Sequence, residues 1–234
     1  MPGNRRVGQL TRTVPNVSAL IRWLPVTGLL AAIAFSLTGL ISPPPPVAGA
    51  PAADVVAYYG SHHVGLELES LADGVGATLL VVFGAAFHSR IKTSASLTAF
   101  GAVAIVAACV YVQVATFEAL AFRPNPDPTR AAILNDLQSF TFQVATFPTL
   151  LFLGAAAGAI LTSRSLPPWA GLAAIAAGVL QATSWISFFA PSGNLAAGAL
   201  PDVLSFASLL AWLVGCSLVM LARRAPLESR ATSQ

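Results

Sequence analysis

The stretch LESLADGVGATLLVVFGAAF, Leu68 to Phe87, is uncharged only from Gly74 onward. Those fourteen residues make about 21 Å of helix at 1.5 Å per residue, whereas a hydrocarbon core of about 30 Å asks for roughly 20 residues. A crossing that ends at Phe87 must therefore begin near Leu68. That start carries Asp73 into the hydrocarbon depth and leaves Glu69 near its edge. Five other segments match the same length rule: Trp23 to Ile41, Ala95 to Phe117, Leu137 to Thr162, Trp169 to Phe189 and Val203 to Ala222. The fold expected is all-α, a polytopic membrane protein with a six-transmembrane-helix bundle over residues 23–222.

Composition points the same way. Of 234 residues, 56% are hydrophobic and 9% charged, and the mean hydropathy is +0.74. A soluble domain carries about 25% charged residues, and this chain has too few to cover so much apolar core. The net charge of +3 does not indicate a nucleic-acid partner, because the basic residues sit in short clusters beside apolar runs. The expected partner is the lipid bilayer, and the expected location is the plasma membrane.

Orientation follows from the basic residues. Arg5, Arg6, Arg12, Arg22, Arg90, Lys92, Arg164, Arg223, Arg224 and Arg230 fall on one side, and Arg123 and Arg130 on the other. By the positive-inside rule the larger set is cytoplasmic, giving an N-in/C-in arrangement with cytoplasmic tails at 1–22 and 223–234. Outer loops are expected at about 42–67, 119–136 and 190–202. Ala48-Gly49-Ala50 offers a signal-peptide cleavage pattern, but the preceding apolar run exceeds the 7 to 15 residues of an h-region. Pro43 to Pro46 read as a stiff exit from a retained helix.

Within the second outer loop, Thr129 is expected to cap a short surface helix leading into the fourth crossing. Pro148 interrupts the backbone bonding of that crossing. Gly154-x-x-x-Gly158, and more weakly Ala104 with Ala108, predict tight internal packing. Cys109 and Cys216 lie in apolar runs and read as small hydrophobes. His62 and His63 are adjacent and His88 is on the opposite side, so no metal site is expected. Motifs such as G-x-S-x-G, Walker A, H-E-x-x-H and C-x-x-C are absent from the sequence, and no cofactor is implied.

The polar residues inside the apolar runs are unevenly distributed. Ser36, Thr38, Gln113, Gln138, Thr141, Gln143, Thr146, Gln181, Ser184, Ser205 and Ser208 all fall in the outer half, and QVATF occurs twice, at Gln113 to Phe117 and Gln143 to Phe147. Such a set predicts a polar cavity open to the outside, with Gln113, Gln143, Gln181, Ser184 and Trp185 as ligand-binding residues for a small, largely apolar molecule. Interhelical hydrogen bonding without any ligand accounts for the same residues at about 0.6 kcal/mol each.

Ionisable groups within a span usually face the bundle interior and mark function. Asp73, with Glu69 one turn away, is the first candidate. One alternative function is an acid-initiated isoprenoid cyclase, in which a carboxylic acid in an apolar pocket delivers a proton to an alkene or epoxide. The catalytic set would then be Asp73, Glu69 and Glu118, with Asp202 as a further partner and Trp185 or Phe188 as cation-stabilising walls. Another alternative is a non-catalytic membrane scaffold. The sequence leaves the oligomeric state open.

Asp54-Val-Val-Ala-Tyr-Tyr before helix two, Phe87-His-Ser-Arg-Ile at its exit, the Pro-x-Pro-x-x-x-Arg-Ala loop after helix three and Leu166-Pro-Pro-Trp169 before helix five carry a resemblance. Over about residues 20–224 the chain resembles uncharacterised actinobacterial six-helix membrane proteins of the DUF4386-like kind. The resemblance implies the topology and carries over no catalytic residues. Glu67, Glu69 and Asp73 depart from the apolar start of helix two that it implies.

Overall fold

The computed structural model describes residues 23–122, 127–189 and 200–223. Six α-helices follow in order: α1 (Val26–Ile41), α2 (Ala52–Ile91), α3 (Ser94–Ala121), α4 (Pro128–Ser163), α5 (Pro168–Thr183), continued by a 3₁₀ turn over Ser184–Phe188, and α6 (Leu200–Ala222). Among the described residues, five helices, α2 to α6, are long and apolar enough to cross a membrane, α5 being counted with its 3₁₀ extension to Ser187; α1 is a shorter apolar helix of 16 residues. Large apolar side chains such as Leu40, Leu71, Val179 and Val203 are exposed around the bundle. So much exposed apolar surface is what a bilayer covers. The chain is a helical membrane protein.

Each helix packs on its neighbour in sequence, α6 packs back on α1 to close a ring, and α2 and α4 also touch across it. The main core is a cluster around Trp212 of α6. Its ring centroid lies 5.3 Å from Phe152 of α4 and 6.4 Å from both Phe83 and Phe87 of α2. Its indole Nε1 donates to the Ala170 carbonyl of α5 at 3.0 Å, so one side chain ties four helices. Close approach of α1 rests on Gly28: a Cβ there would stand 2.2 Å from Ser217 Oγ and 2.6 Å from the Phe83 ring.

At one end of the bundle, here the basic end, lie Arg90, Lys92, Arg164 and Arg223. Lys92 and Arg164 close α2 and α4 in the left-handed conformation (φ 54° and 53°), their N–H groups returning to the His88 and Ile160 carbonyls. Cationic side chains there also complement the negative helix ends. Thr93 and Ser96 form a reciprocal capping box that starts α3, and His88 Nδ1 lies 2.9 Å from Ser96 Oγ.

The opposite end carries an annex, and here the sequence expectations need correction. Helix two is the longest of the set, not a marginal one: its 40 residues make about 60 Å. Residues 52–67 are helix, so the first connection is only the Ser42–Pro51 stretch and not 42–67. The second connection shrinks likewise, because α3 runs to Ala121 and the 36-residue α4 starts at Pro128. Asp127, and not Thr129, is the cap, its side chain accepting from Arg130 N at 3.0 Å, with Pro128 suited to the first helical position. Helix six starts at Leu200, within the expected 190–202 loop; residues 190–199, both distal tails and Arg123 lie outside the described residues.

These extensions bury a second core: Val55, Tyr59 and Leu66 of α2, Leu120 of α3 and Ala131 of α4. The Ser42–Pro51 strap is fastened over it. Asn135, fully buried, donates from Nδ2 to the Pro46 carbonyl at 3.2 Å and accepts from the Tyr59 hydroxyl at 3.3 Å. Asp136 accepts from Gly49 N, and Glu69 from Ser42 N, both at 2.8 Å.

The GxxxG motif is also corrected. A Cβ at Gly154 or Gly158 would meet nothing within 4 Å, and Ala104 and Ala108 are exposed. Their small side chains therefore face outward, away from the internal contacts. Helix α4 continues through Pro148 without a break.

Candidate functional site

The site is built from the end of α5 inward. Thr183 and Ser184 turn their hydroxyls back onto the Leu180 and Gln181 carbonyls at 2.6 and 2.9 Å. Such bonds compete with the α-helical ladder, and the helix tightens to 3₁₀ over Ser184–Phe188. Three residues per turn eclipse positions i and i+3, which lines up Gln181, Ser184 and Ser187 on one buried face. Trp185 and Ile186 are turned outward.

Two helices meet this face. Thr146 Oγ1 of α4 lies 3.0 Å from Ser184 Oγ. Asp202 Oδ1 of α6 accepts from Ser187 Oγ at 3.3 Å. Further along α6, Ser205 Oγ donates to the Asp202 carbonyl at 2.9 Å and Ser208 Oγ to the Ala177 carbonyl of α5 at 3.3 Å. Helices α4 and α5 run antiparallel. The Thr146–Ser184 pair therefore places Gln143 one turn toward the annex and Gln181 one turn toward the basic end.

Gln143 is the least satisfied group in this ladder. It is 1% exposed, and neither its Oε1 nor its Nε2 has a hydrogen-bond partner; Gln181 Oε1 is in the same state. An amide buried without partners costs about 1 to 3 kcal/mol. The ladder can thus offer a donor and two acceptors to a group that enters it. It holds no histidine or cysteine, and its one acid, Asp202, is buried within the network.

The structure brings only part of the expected set together. Gln143, Gln181 and Ser184 share the ladder, with Thr146 and Ser205. Gln113 is buried on α3. Ser36, Thr38 and Thr141 spend their hydroxyls on their own helices, donating to the Ala32, Phe35 and Leu137 carbonyls. Trp185 is 37% exposed and packs against Phe147 at the bundle surface, the rings tilted by 33° with 5.2 Å between centroids. That position takes it away from the ladder, and the Phe188 side chain lies outside the description.

The acids form a separate group on α2. Asp73 is half-buried and continues the inward stripe of Tyr59, Leu66, Ser70, Ala77, Leu80, Gly84 and Phe87. It makes no hydrogen bond within the described residues, whereas Glu69, one turn away, is engaged by the strap. Glu118 does not join them inside. It is exposed and lines a shallow groove of ≈ 400 Å³ between α2 and α3 with Ser70, Gly74, Thr78 and Tyr111. Among the described residues no three His, Cys, Asp or Glu side chains are grouped to hold a metal.

Sequence reasoning missed Ser187, Tyr59 and Asn135. Continuing the stripe backward from Asp73 in steps of three and four reaches Ser70 and Leu66, and seven residues more reaches Tyr59. Asn135 and Ser187 carry no comparable periodic signal. No family model matches the chain, and no curated protein or solved structure matches it.

Proposed function

We propose that this protein binds a small, largely apolar molecule through the polar ladder of α4, α5 and α6, holding a hydroxyl or amide of that molecule on Gln143. The observation that carries this reading is the Gln143 amide, closed off from water with donor and acceptor both unpartnered. A ligand group that completes those bonds recovers the desolvation cost, so binding is selective for a polar head on an apolar body. The chain lies in the plasma membrane with six crossings, α1 included, and both termini in the cytoplasm. The annex and the ladder then face outward, so the molecule is captured or passed from the outer side. The basic residues gathered at the other end support that orientation.

The test is native mass spectrometry of the detergent-purified protein with farnesol and, as a control lacking the hydroxyl, farnesene. Farnesol should be retained and farnesene not, and Gln143→Leu should lose the difference. Equal retention of both by the unaltered protein would remove the reading. A fluorescent protein fused after Gln234 should mature on the cytoplasmic side; failure there would reverse the orientation.

Asp73 favours a second reading, the acid-initiated isoprenoid cyclase. It lies on the inward stripe of α2, makes no hydrogen bond within the described residues and has Glu69 one turn away. Asp73→Asn should then abolish turnover of an isoprenoid epoxide while leaving membrane insertion intact. Undiminished turnover by this variant excludes Asp73 as the acid. The exposed positions of Glu118 and Trp185 make this the weaker of the two.

A further inference from the structure

The basic end carries like charges that nothing in the described chain neutralises. The Arg90 guanidinium at the end of α2 donates to the carbonyl of Arg223 at the end of α6. Arg223 in turn donates from Nη1 to the Ser165 carbonyl at 3.3 Å, in the turn between α4 and α5, where Arg164 is the preceding residue. None of the described carboxylates lies in the last turns of the helices at this end; Asp73 of α2 and Asp202 of α6 stand well back from Ile91 and Ala222. Arg90 is partly withdrawn from water, Arg164 and Arg223 are exposed beside it, and no carboxylate pairs with them among the described residues; such a cluster attracts an anion.

The surface beside them has a second property. From the turn at Ser165 toward the middle of the bundle, α5 and α6 leave a groove of ≈ 290 Å³ lined by Trp169, Ala173, Ala176, Leu180, Ala211 and Gly215. Its walls are apolar and its floor is made of small side chains. A Cβ added at Gly215 would meet nothing within 4 Å, so the space is open and not filled by a neighbour. Trp169, the second residue of α5, stands at the end of the groove nearest the arginines. An anionic head and an apolar chain are thus both provided for, in the order a lipid of the adjoining leaflet presents them.

We propose that this end of the bundle binds one anionic phospholipid, with its phosphate on the Arg223 and Arg90 guanidinia and one acyl chain in the α5–α6 groove. The guanidinium fork suits a phosphate diester, and basic sites between membrane helices are a recurring form of lipid headgroup recognition. This site is independent of the ligand ladder and of the direction in which the chain is inserted.

The experiment is native mass spectrometry of the full chain in neutral detergent, with phosphatidylglycerol and phosphatidylcholine of identical chains. Phosphatidylglycerol should be retained preferentially. Arg223→Gln and Arg90→Gln should each lower its retention by about fivefold. Gly215→Leu, which fills the groove and leaves the arginines in place, should weaken phosphatidylglycerol binding as well. Equal retention of the two lipids, or unchanged retention in Arg223→Gln, overturns the proposal. So does displacement of the lipid by inorganic phosphate with no effect of Gly215→Leu, which identifies a free-anion site. If Arg90→Gln fails to accumulate, Arg223→Gln, at an exposed position, tests the head-group site by itself, and unchanged retention there overturns it.

Discussion

The two halves of the bundle are held together by different chemistry. Around Trp212, four helices meet through aromatic edges and small aliphatic side chains, with one indole hydrogen bond. Around Thr146 and Ser184, three elements meet through hydroxyls, amides and an acid, two of whose polar side chains are left incompletely bonded. In a membrane, lipid tails are as apolar as Leu, so the first half is held by close packing and not by exclusion from water. The difference separates a region held by aromatic and aliphatic packing from one built of polar side chains, two of whose amides are incompletely bonded.

The comparison breaks most visibly at Trp212. Trp212→Ala should destabilise the detergent-solubilised protein by about 3 to 5 kcal/mol, read as a shift in an SDS unfolding titration. A loss under about 1 kcal/mol would mean that the aromatic cluster is not the keystone of its half. Next comes Asn135→Leu, which strips the strap and the Tyr59 hydroxyl of their partner. It should cost about 1 to 3 kcal/mol and open the Ser42–Pro51 segment to proteolysis in intact vesicles, whereas unchanged cleavage would show the strap to be held elsewhere.

Gln143→Leu sharpens the contrast by its sign. Removing an amide that has no partners should leave stability unchanged or raise it by up to about 1 kcal/mol, even as farnesol binding is lost. A large destabilisation would show that Gln143 is bonded in the membrane and would take away the basis of the ligand site. Smallest of all should be Gly154→Ala with Gly158→Ala. Both faces are open, so the double variant should stay within about 0.5 kcal/mol of the parent per site, and it would show a marked loss only if these glycines were packed against something.

How far the sequence could be read depended on which physical rule governed each residue. Hydrocarbon thickness sets a length that apolar runs must meet, so six helices and their approximate positions were legible. The same rule says nothing about helix beyond the bilayer. It truncated α2 at Leu68 and α4 at Leu137, since the Asp54 to Glu67 and Thr129 to Asp136 segments are amphipathic helix governed by packing in the annex. The polar set was legible as a set, because a Gln or Ser within an apolar run is conspicuous. Its partition was not. Ser36 and Thr141 bond their own helices while Thr146 reaches another, and only the helix rotation decides which. Gly154 and Gly158 were misread for the same reason: in a chain this rich in Ala and Gly, a spacing of four names a face without telling which way it looks.

The strap has a consequence for how the chain is made. Its fasteners, Asn135 and Asp136, lie 87 to 89 residues after the backbone groups they hold at Pro46, Val47 and Gly49. At a synthesis rate of about 5 to 20 residues per second, roughly 4 to 18 s pass between the emergence of the two. Throughout that interval the segment between the first two helices is held only from α2, by Glu69 on Ser42 N and by the Tyr58 hydroxyl on the Pro43 carbonyl. Delivery of the start of α4 adds the fasteners at Pro46, Val47 and Gly49, so the annex closes only once the first and fourth helices stand in register.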